Sequence, residues 1–395
     1  MIIIAAHRLY TPSHEIPDPL VFIDDGTVRA VSSRAEQEVP NNATVIDLTT
    51  HHSEAILAPG FLDIHVHGGA GIDVTRAALT DIPHLNKFLA THGVTGYFPT
   101  TVAAPLAETC AALERLADAI ESAQNPGTHG TNVEARPLGI HLEGPFLSHK
   151  RRGVHPPENL LEPTVEIFDR LWQAARGHVS MMTIAPELPG AMDVITEAAR
   201  RKVCVSIGHS DADSATARQA IQSGARHATH TFNAMRPLDH RDPGILGEAL
   251  TDDRLTADII ADGIHLAPEI VKLFLRAKGF DQAVLITDAT AATGMPDGTY
   301  LLGPIEVEVK DGKCTLKGTN GQLAGSVLTM DKAVRNVTQF SDWTLRDAVR
   351  AATRNPARAA GLPSHGEIKV GAEADLVLLS PEGVVLKTMT RGRGF

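Results

Sequence analysis

Two histidines two residues apart, His65 and His67, open the chemistry that this chain offers. On a strand, side chains at that spacing leave the same face, which is the geometry a chelating pair requires. Four more candidates end apolar runs: Glu143 in His141-Leu142-Glu143-Gly144, His209 in Gly208-His209-Ser210, His230 in Thr229-His230-Thr231, and Asp288 in Thr287-Asp288-Ala289. Imidazoles joined by carboxylates are the ligand chemistry of a divalent transition metal. A further carboxylate beside such an ion suits a general base. Each residue also has a plainer reading. A chain with 19 histidines produces a His-x-His by chance, and a lone histidine ending an apolar strand is more often a hydrogen-bonded core residue. Glu143 could be a solvated loop carboxylate, and Asp288 could cap a following helix. Their shared position at the ends of successive apolar runs favours the chemical reading.

Those runs define the elements that must position the candidates. Eight read as strands: Gly60–Gly68, Gly96–Thr101, Leu138–Gly144, Val179–Pro186, Val203–Ser210, Ala228–Ala234, Ala257–Gly263 and Ala283–Ala289. Helical periodicity separates most of them, as over Asp81–His92, Ala107–Ala123, Ala191–Lys202 and Pro268–Lys278. The link from the sixth strand to the seventh reads as loop. We therefore expect an α/β fold, a (β/α)8 TIM barrel, in which the C-terminal strand ends converge on one mouth. A doubly wound sheet is the rival, but no Gly-x-Gly-x-x-Gly follows the first strand. After the eighth strand, the Gly-rich stretch Gly294–Gly325 reads as a hairpin or lid near that mouth.

The two ends of the chain read as β structure. Residues 1–50 alternate apolar runs with turn signals at Asp25-Gly26 and Pro40-Asn41-Asn42, and His365–Leu379 reads as two strands around a turn. Neither end is large enough to fold alone, so residues 1–54 and 356–395 are expected to pair into a small β-sandwich beside a barrel of residues 55–355.

A net charge of −11 argues against nucleic acid or a membrane surface as partner. The three cysteines, Cys110, Cys204 and Cys314, form no Cys-x-x-Cys pair, so neither a disulfide framework nor a thiolate zinc site is indicated. The opening MIIIAAHRLY is too short an apolar run for a signal peptide, and no segment reaches the roughly 20 apolar residues of a membrane span. A cytoplasmic location is the expectation.

Pro59–His67, with the His, His and Asp of strands five, six and eight, resembles the amidohydrolase superfamily. Within it, His141–Phe146, Gly208–Ala212, Thr229–Met235, Asp262–His265 and Leu323–Ser326 are similar to the N-acetylglucosamine-6-phosphate deacetylases, and the likeness covers nearly the whole chain. The resemblance implies hydrolysis of an N-acetylated amino-sugar phosphate to acetate and free amine. It implies Glu143, His209 and His230 as principal ligands of a divalent ion (Zn, Fe, Co or Mn) and Asp288 as acid/base. His155 is then near the reacting acetamide, Asn233 and Ala234 on the phosphate side, and Arg241 and His265 on the sugar phosphate. In the family that arginine can come from a partner subunit, which implies a homodimer. Some members lack the first His-x-His and use one metal; here His65 and His67 leave room for one or two per subunit. The nearest rivals, cyclic-imide hydrolases and N-acyl-amino-acid deacylases, commonly bridge metals through a modified lysine, whereas Glu143 stands here. A scaffold without catalysis would show gaps in the constellation, and none is found.

Overall fold

The computed structural model describes all residues except 12–13, 38, 40–42 and 125–132, so the turn expected at Pro40-Asn41-Asn42 lies outside the described residues. Among the described residues, parallel strands run Phe61–Val66, Val94–Pro99, Ile140–Glu143, Val179–Ile184, Cys204–Ile207, His227–Ala228, Thr256–Ile260 and Ala283–Ile286. Each of the last six pairs with its predecessor or successor in parallel. Phe61–Val66 pairs with Val94–Pro99, and the isolated bridge Thr100 to His141 carries the order across to Ile140–Glu143. The order then returns to its start: Val66 pairs with Ala289, and the Asp288 amide donates to the His65 carbonyl at 2.9 Å. The strands are buried almost throughout, which is why they read as continuous apolar runs rather than alternating ones.

A helix follows each strand: Ile82–Thr91, Leu106–Gln124, Val165–Ala174, Ala191–Arg200, Ser214–Ser223, Gly244–Thr251, Pro268–Gln282 and Met330–Phe340. The sixth corrects the expected loop. Gly244–Thr251 (GILGEALT) is buried from Gly244 through Leu250, so it has no polar face to give a 3.6-residue pattern, and two glycines lower its helix propensity. No helix begins near Asp288; the next starts at Met330, so the capping reading of Asp288 falls away. Between them Gly298–Leu302, Ile305–Lys310 and Lys313–Leu316 form a three-stranded antiparallel sheet, the hairpin expected over Gly294–Gly325 with one strand more.

The terminal segments interleave. One sheet orders Thr27–Ser33, Pro19–Asp24, Ile2–Ala5 and Thr44–Asp47; the other orders Val385–Met389, Leu376–Leu379, Ile56–Pro59, Arg8–Tyr10 and Glu15–Pro17. Ile4, Val21, Ile23 and Val28 from the first pack with Leu9, Leu57, Leu376 and Leu378 from the second. The expected strand pair within His365–Leu379 is not formed. Only Leu376–Leu379 is a strand, and its hairpin partner is Val385–Met389. Gly366 (φ 75°) and Gly371 (φ 85°) take left-handed backbone that breaks the upstream stretch.

Candidate active site

At the C-terminal ends of the parallel strands the expected residues meet. The imidazole Nε2 atoms of His209 and His230 lie 3.2 and 2.9 Å from Glu143 Oε1 and 3.1 Å from each other. His67 Nε2 stands 3.3 Å from Glu143 Oε2 and 3.1 Å from Asp288 Oδ1, and His65 Nε2 is 3.5 Å from both carboxylates. All six side chains are at least nine-tenths buried. Three of them achieve their aim through left-handed backbone just past the strand: His209 (φ 46°), His230 (φ 28°) and Asp288 (φ 52°). Such strain costs about 1–3 kcal/mol per residue and collects at functional sites.

The ring nitrogens settle which way each histidine faces. His209 Nδ1 donates to the Arg151 carbonyl at 2.8 Å and His67 Nδ1 to the Thr100 carbonyl at 3.0 Å. Burial pushes His209 down to about 4, so the ring is neutral and turns a bare Nε2 lone pair toward Glu143 and His230. Lone pairs and a carboxylate oxygen at this separation repel unless a cation lies between them. Two donors about 2.0–2.1 Å from one ion at a tetrahedral angle sit about 3.3 Å apart, and the separations here run from 2.9 to 3.5 Å. The residues fit a divalent ion.

Charge tells the same story. Burial alone would raise Glu143, but the field of His65 and hydrogen bonds from His155, His209 and His230 hold it well below the carboxylate range. Asp288 is likewise lowered: His65 and His67 outweigh its burial. Burial opposes charge on His67 and His230, yet Asp288 and Glu143 raise His67 to about 10 and Glu143 raises His230 to about 9. Two buried carboxylates thus demand positive charge at this point, which a divalent ion would supply in exchange for protons.

His155 differs from the ligand set. Its Nδ1 accepts the Ala103 amide at 3.2 Å, so the neutral ring carries its proton on Nε2, 3.5 Å from Glu143 Oε2. It enters the site as a donor. His67, Glu143, His155, His209, His230 and Asp288 line a cavity of about 250 Å³ together with Asn233, Ala234 and His265, the last three also expected from sequence. His265 is fixed by Asp262, whose Oδ2 is 2.7 Å from its Nδ1. Arg241 is not brought here; it is exposed on a loop where Asp239 accepts its backbone amide at 2.8 Å. Sequence reasoning missed Val102, Leu302 and Gln322, which wall the cavity, the last two from the antiparallel sheet and the segment after it. It also missed buried Asp258 and His227, although a charged residue inside the run Thr256–Ile260 is itself a signal.

The match to known proteins fits this geometry. Residues 56–394 match the model of the amidohydrolase family. The chain belongs to that family. Within it the chain is 34% identical to N-acetylglucosamine-6-phosphate deacetylase of Bacillus subtilis (strain 168), over 97% of this chain and 94% of the relative. It is 36% identical to N-acetylgalactosamine-6-phosphate deacetylase of Escherichia coli O157:H7, over 95% and 94%. Among solved structures, a mutant N-acetyl-D-glucosamine-6-phosphate deacetylase from Mycobacterium smegmatis, in complex with N-acetyl-D-glucosamine-6-phosphate, superimposes with a TM-score of 0.89 at 34% identity, covering 100% of this chain and 98% of that one. The amidohydrolase resemblance read from the strand-end motifs is confirmed.

Proposed function

We propose that this amidohydrolase hydrolyses N-acetyl-D-glucosamine 6-phosphate to D-glucosamine 6-phosphate and acetate. The observation that carries the reading is the convergence of Glu143, His209 and His230 on one point with Asp288 beside it, in a chain whose relatives are named for this reaction. Glu143, His209 and His230 would hold a divalent ion (zinc, iron, cobalt or manganese), and His65 and His67, with Asp288 shared, make room for a second. Such an ion supplies a Lewis acid that acidifies water and polarises an amide carbonyl. Asp288, kept ionised by its histidine neighbours, accepts the proton of the attacking water and returns it to the departing sugar nitrogen. His155 Nε2–H donates to the oxyanion; losing one such donor typically costs on the order of 10²–10³ in rate. Asn233, the Ala234 backbone and His265 take the sugar phosphate. Arg241, exposed in its own subunit, serves the phosphate of a partner in a homodimer, where its fork matches phosphate oxygens.

In this reading the eight parallel strands and their helices are a (β/α)8 barrel of residues 55–355, and 1–54 with 356–395 form a small β-sandwich, with Ile56–Pro59 bridging the two. The substrate is a small molecule, with neither nucleic acid nor a membrane as partner. No helix among the described residues is long and apolar enough to cross a membrane, and we assign the enzyme to the cytoplasm. The test is acetate release from N-acetylglucosamine 6-phosphate, its galacto epimer and the unphosphorylated sugar, using protein of measured metal content. Release from the gluco phosphate ester far above the other two is expected. Preference for the galacto epimer would move the assignment to the reaction of the Escherichia coli relative, and release from neither ester would overturn it.

A further inference from the structure

Ligand histidines are usually oriented through their second ring nitrogen, and losing that outer partner typically costs 10–100-fold in metal affinity or activity. His67 and His209 follow the rule through the Thr100 and Arg151 carbonyls. His230 does not: its buried Nδ1 finds no hydrogen-bond partner among the described residues. Its ring must be aimed by its backbone, and that backbone is strained at φ 28°.

The backbone is gripped from the neighbouring strand. Asp258 Oδ1 accepts the His230 amide, and the Asp258 carbonyl accepts the Thr231 amide at 2.9 Å. Asp258 is itself fully buried, and its other oxygen is bound at 2.7 Å by His227 Nε2, whose Nδ1 meets Thr256 Oγ1 at 2.6 Å. His227 belongs to the two-residue strand that delivers His230, so the pair ties that short strand to Thr256–Ile260 at the point where only two ladder pairs hold it.

We propose that Asp258 is a positioning residue, steadied by His227, which holds His230 in its ligating geometry by clamping the His230 backbone amide. This rests on His230 being a metal ligand. Neither Asp258 nor His227 lines the cavity, so neither meets substrate.

The test is the dissociation constant of zinc, measured by chelator competition, for wild type, His230→Ala, Asp258→Ala and Asp258→Asn, with thermal unfolding of each metal-free protein alongside. Asp258→Ala is expected to weaken zinc about 10–100-fold, while Asp258→Asn, which keeps an oxygen for the His230 amide, recovers most of the affinity. In turnover, Asp258→Ala should lower kcat at saturating zinc with KM little changed. If His230→Ala weakens zinc but Asp258→Ala binds it within twofold of wild type and only unfolds earlier, the clamp is wrong. If His230→Ala itself leaves zinc affinity unchanged, the ligand assignment fails, and the clamp with it. Should Asp258→Ala not fold, Asp258→Asn and His227→Gln decide: near-native zinc affinity in the first with a measurable loss in the second supports the clamp, and a loss in the first as large as in His230→Ala contradicts it.

Discussion

Asp288 carries the sharpest residue-scale prediction. It touches His67 and His65 yet is assigned proton transfer rather than primary ligation, so Asp288→Asn should keep bound metal and lose activity. General acid–base groups contribute about 10²–10⁴-fold, and a loss of that size in kcat, with metal content by elemental analysis unchanged, is expected; near-native turnover would remove it from the reaction. These residues were legible in the sequence because each ends an apolar run in a short motif such as His-Leu-Glu-Gly-Pro. Asp258 and His227 were not, because they sit inside strands and act through a backbone amide that no side-chain pattern records. The donor role of His155 follows only from its contact with the Ala103 amide, a residue 52 positions away.

At the scale of elements, helices with one wet face were readable and the buried one was not. Ala191–Arg200 shows its periodicity plainly, whereas Gly244–Thr251, walled in on all sides, reads as loop. The sixth strand shrank to His227–Ala228 because the chain turns sharply at His230, so its expected extent over Ala228–Ala234 overran. The helix Pro268–Gln282 carries a liability that is separate from the site. Lys278, 6% exposed, donates to the Asp252 carbonyl at 3.2 Å. Burial lowers it from 10.5 to about 8, against the opposing fields of Asp253 and Asp252. Between those values the unfolded chain holds a proton that the folded one has lost, so stability should rise with pH from about 8 to 10.5. At about 1.4 kcal/mol per tenfold in proton affinity, the swing is about 3 kcal/mol. Lys278→Met should therefore melt later than wild type at pH 7 and lose the alkaline rise; an unchanged pH profile of Tm would contradict it.

For the whole molecule, the family resemblance put Arg241 on the sugar phosphate and allowed it to come from a partner subunit, a role that depends on a second chain. Arg241 does not line its own cavity, which gives a direct expectation. Arg241→Ala should raise KM for the sugar phosphate about tenfold or more, the weight of a charge-assisted contact, with kcat less affected. Mixed with Asp288→Asn, which retains the arginine, it should form hybrid dimers in which one site regains a native KM. No recovery on mixing, or a monomer in sedimentation equilibrium, would remove Arg241 from the site. Leu376–Leu379 pairs with Ile56–Pro59, so strands from both ends of the chain share a sheet, and its hairpin partner Val385–Met389 lies further downstream than expected.

In the proposed reaction the cluster of Glu143, His209 and His230 holds the ion that hydrolysis requires. The most direct measurement strips the protein of metal, then follows acetate release from N-acetylglucosamine 6-phosphate as zinc, iron, cobalt or manganese is returned in known equivalents. Activity absent at the start, rising in proportion to added ion and levelling at one or two equivalents, with Glu143→Gln failing to recover, is the predicted result. Full turnover by the metal-free protein, or full recovery in Glu143→Gln, would contradict the account.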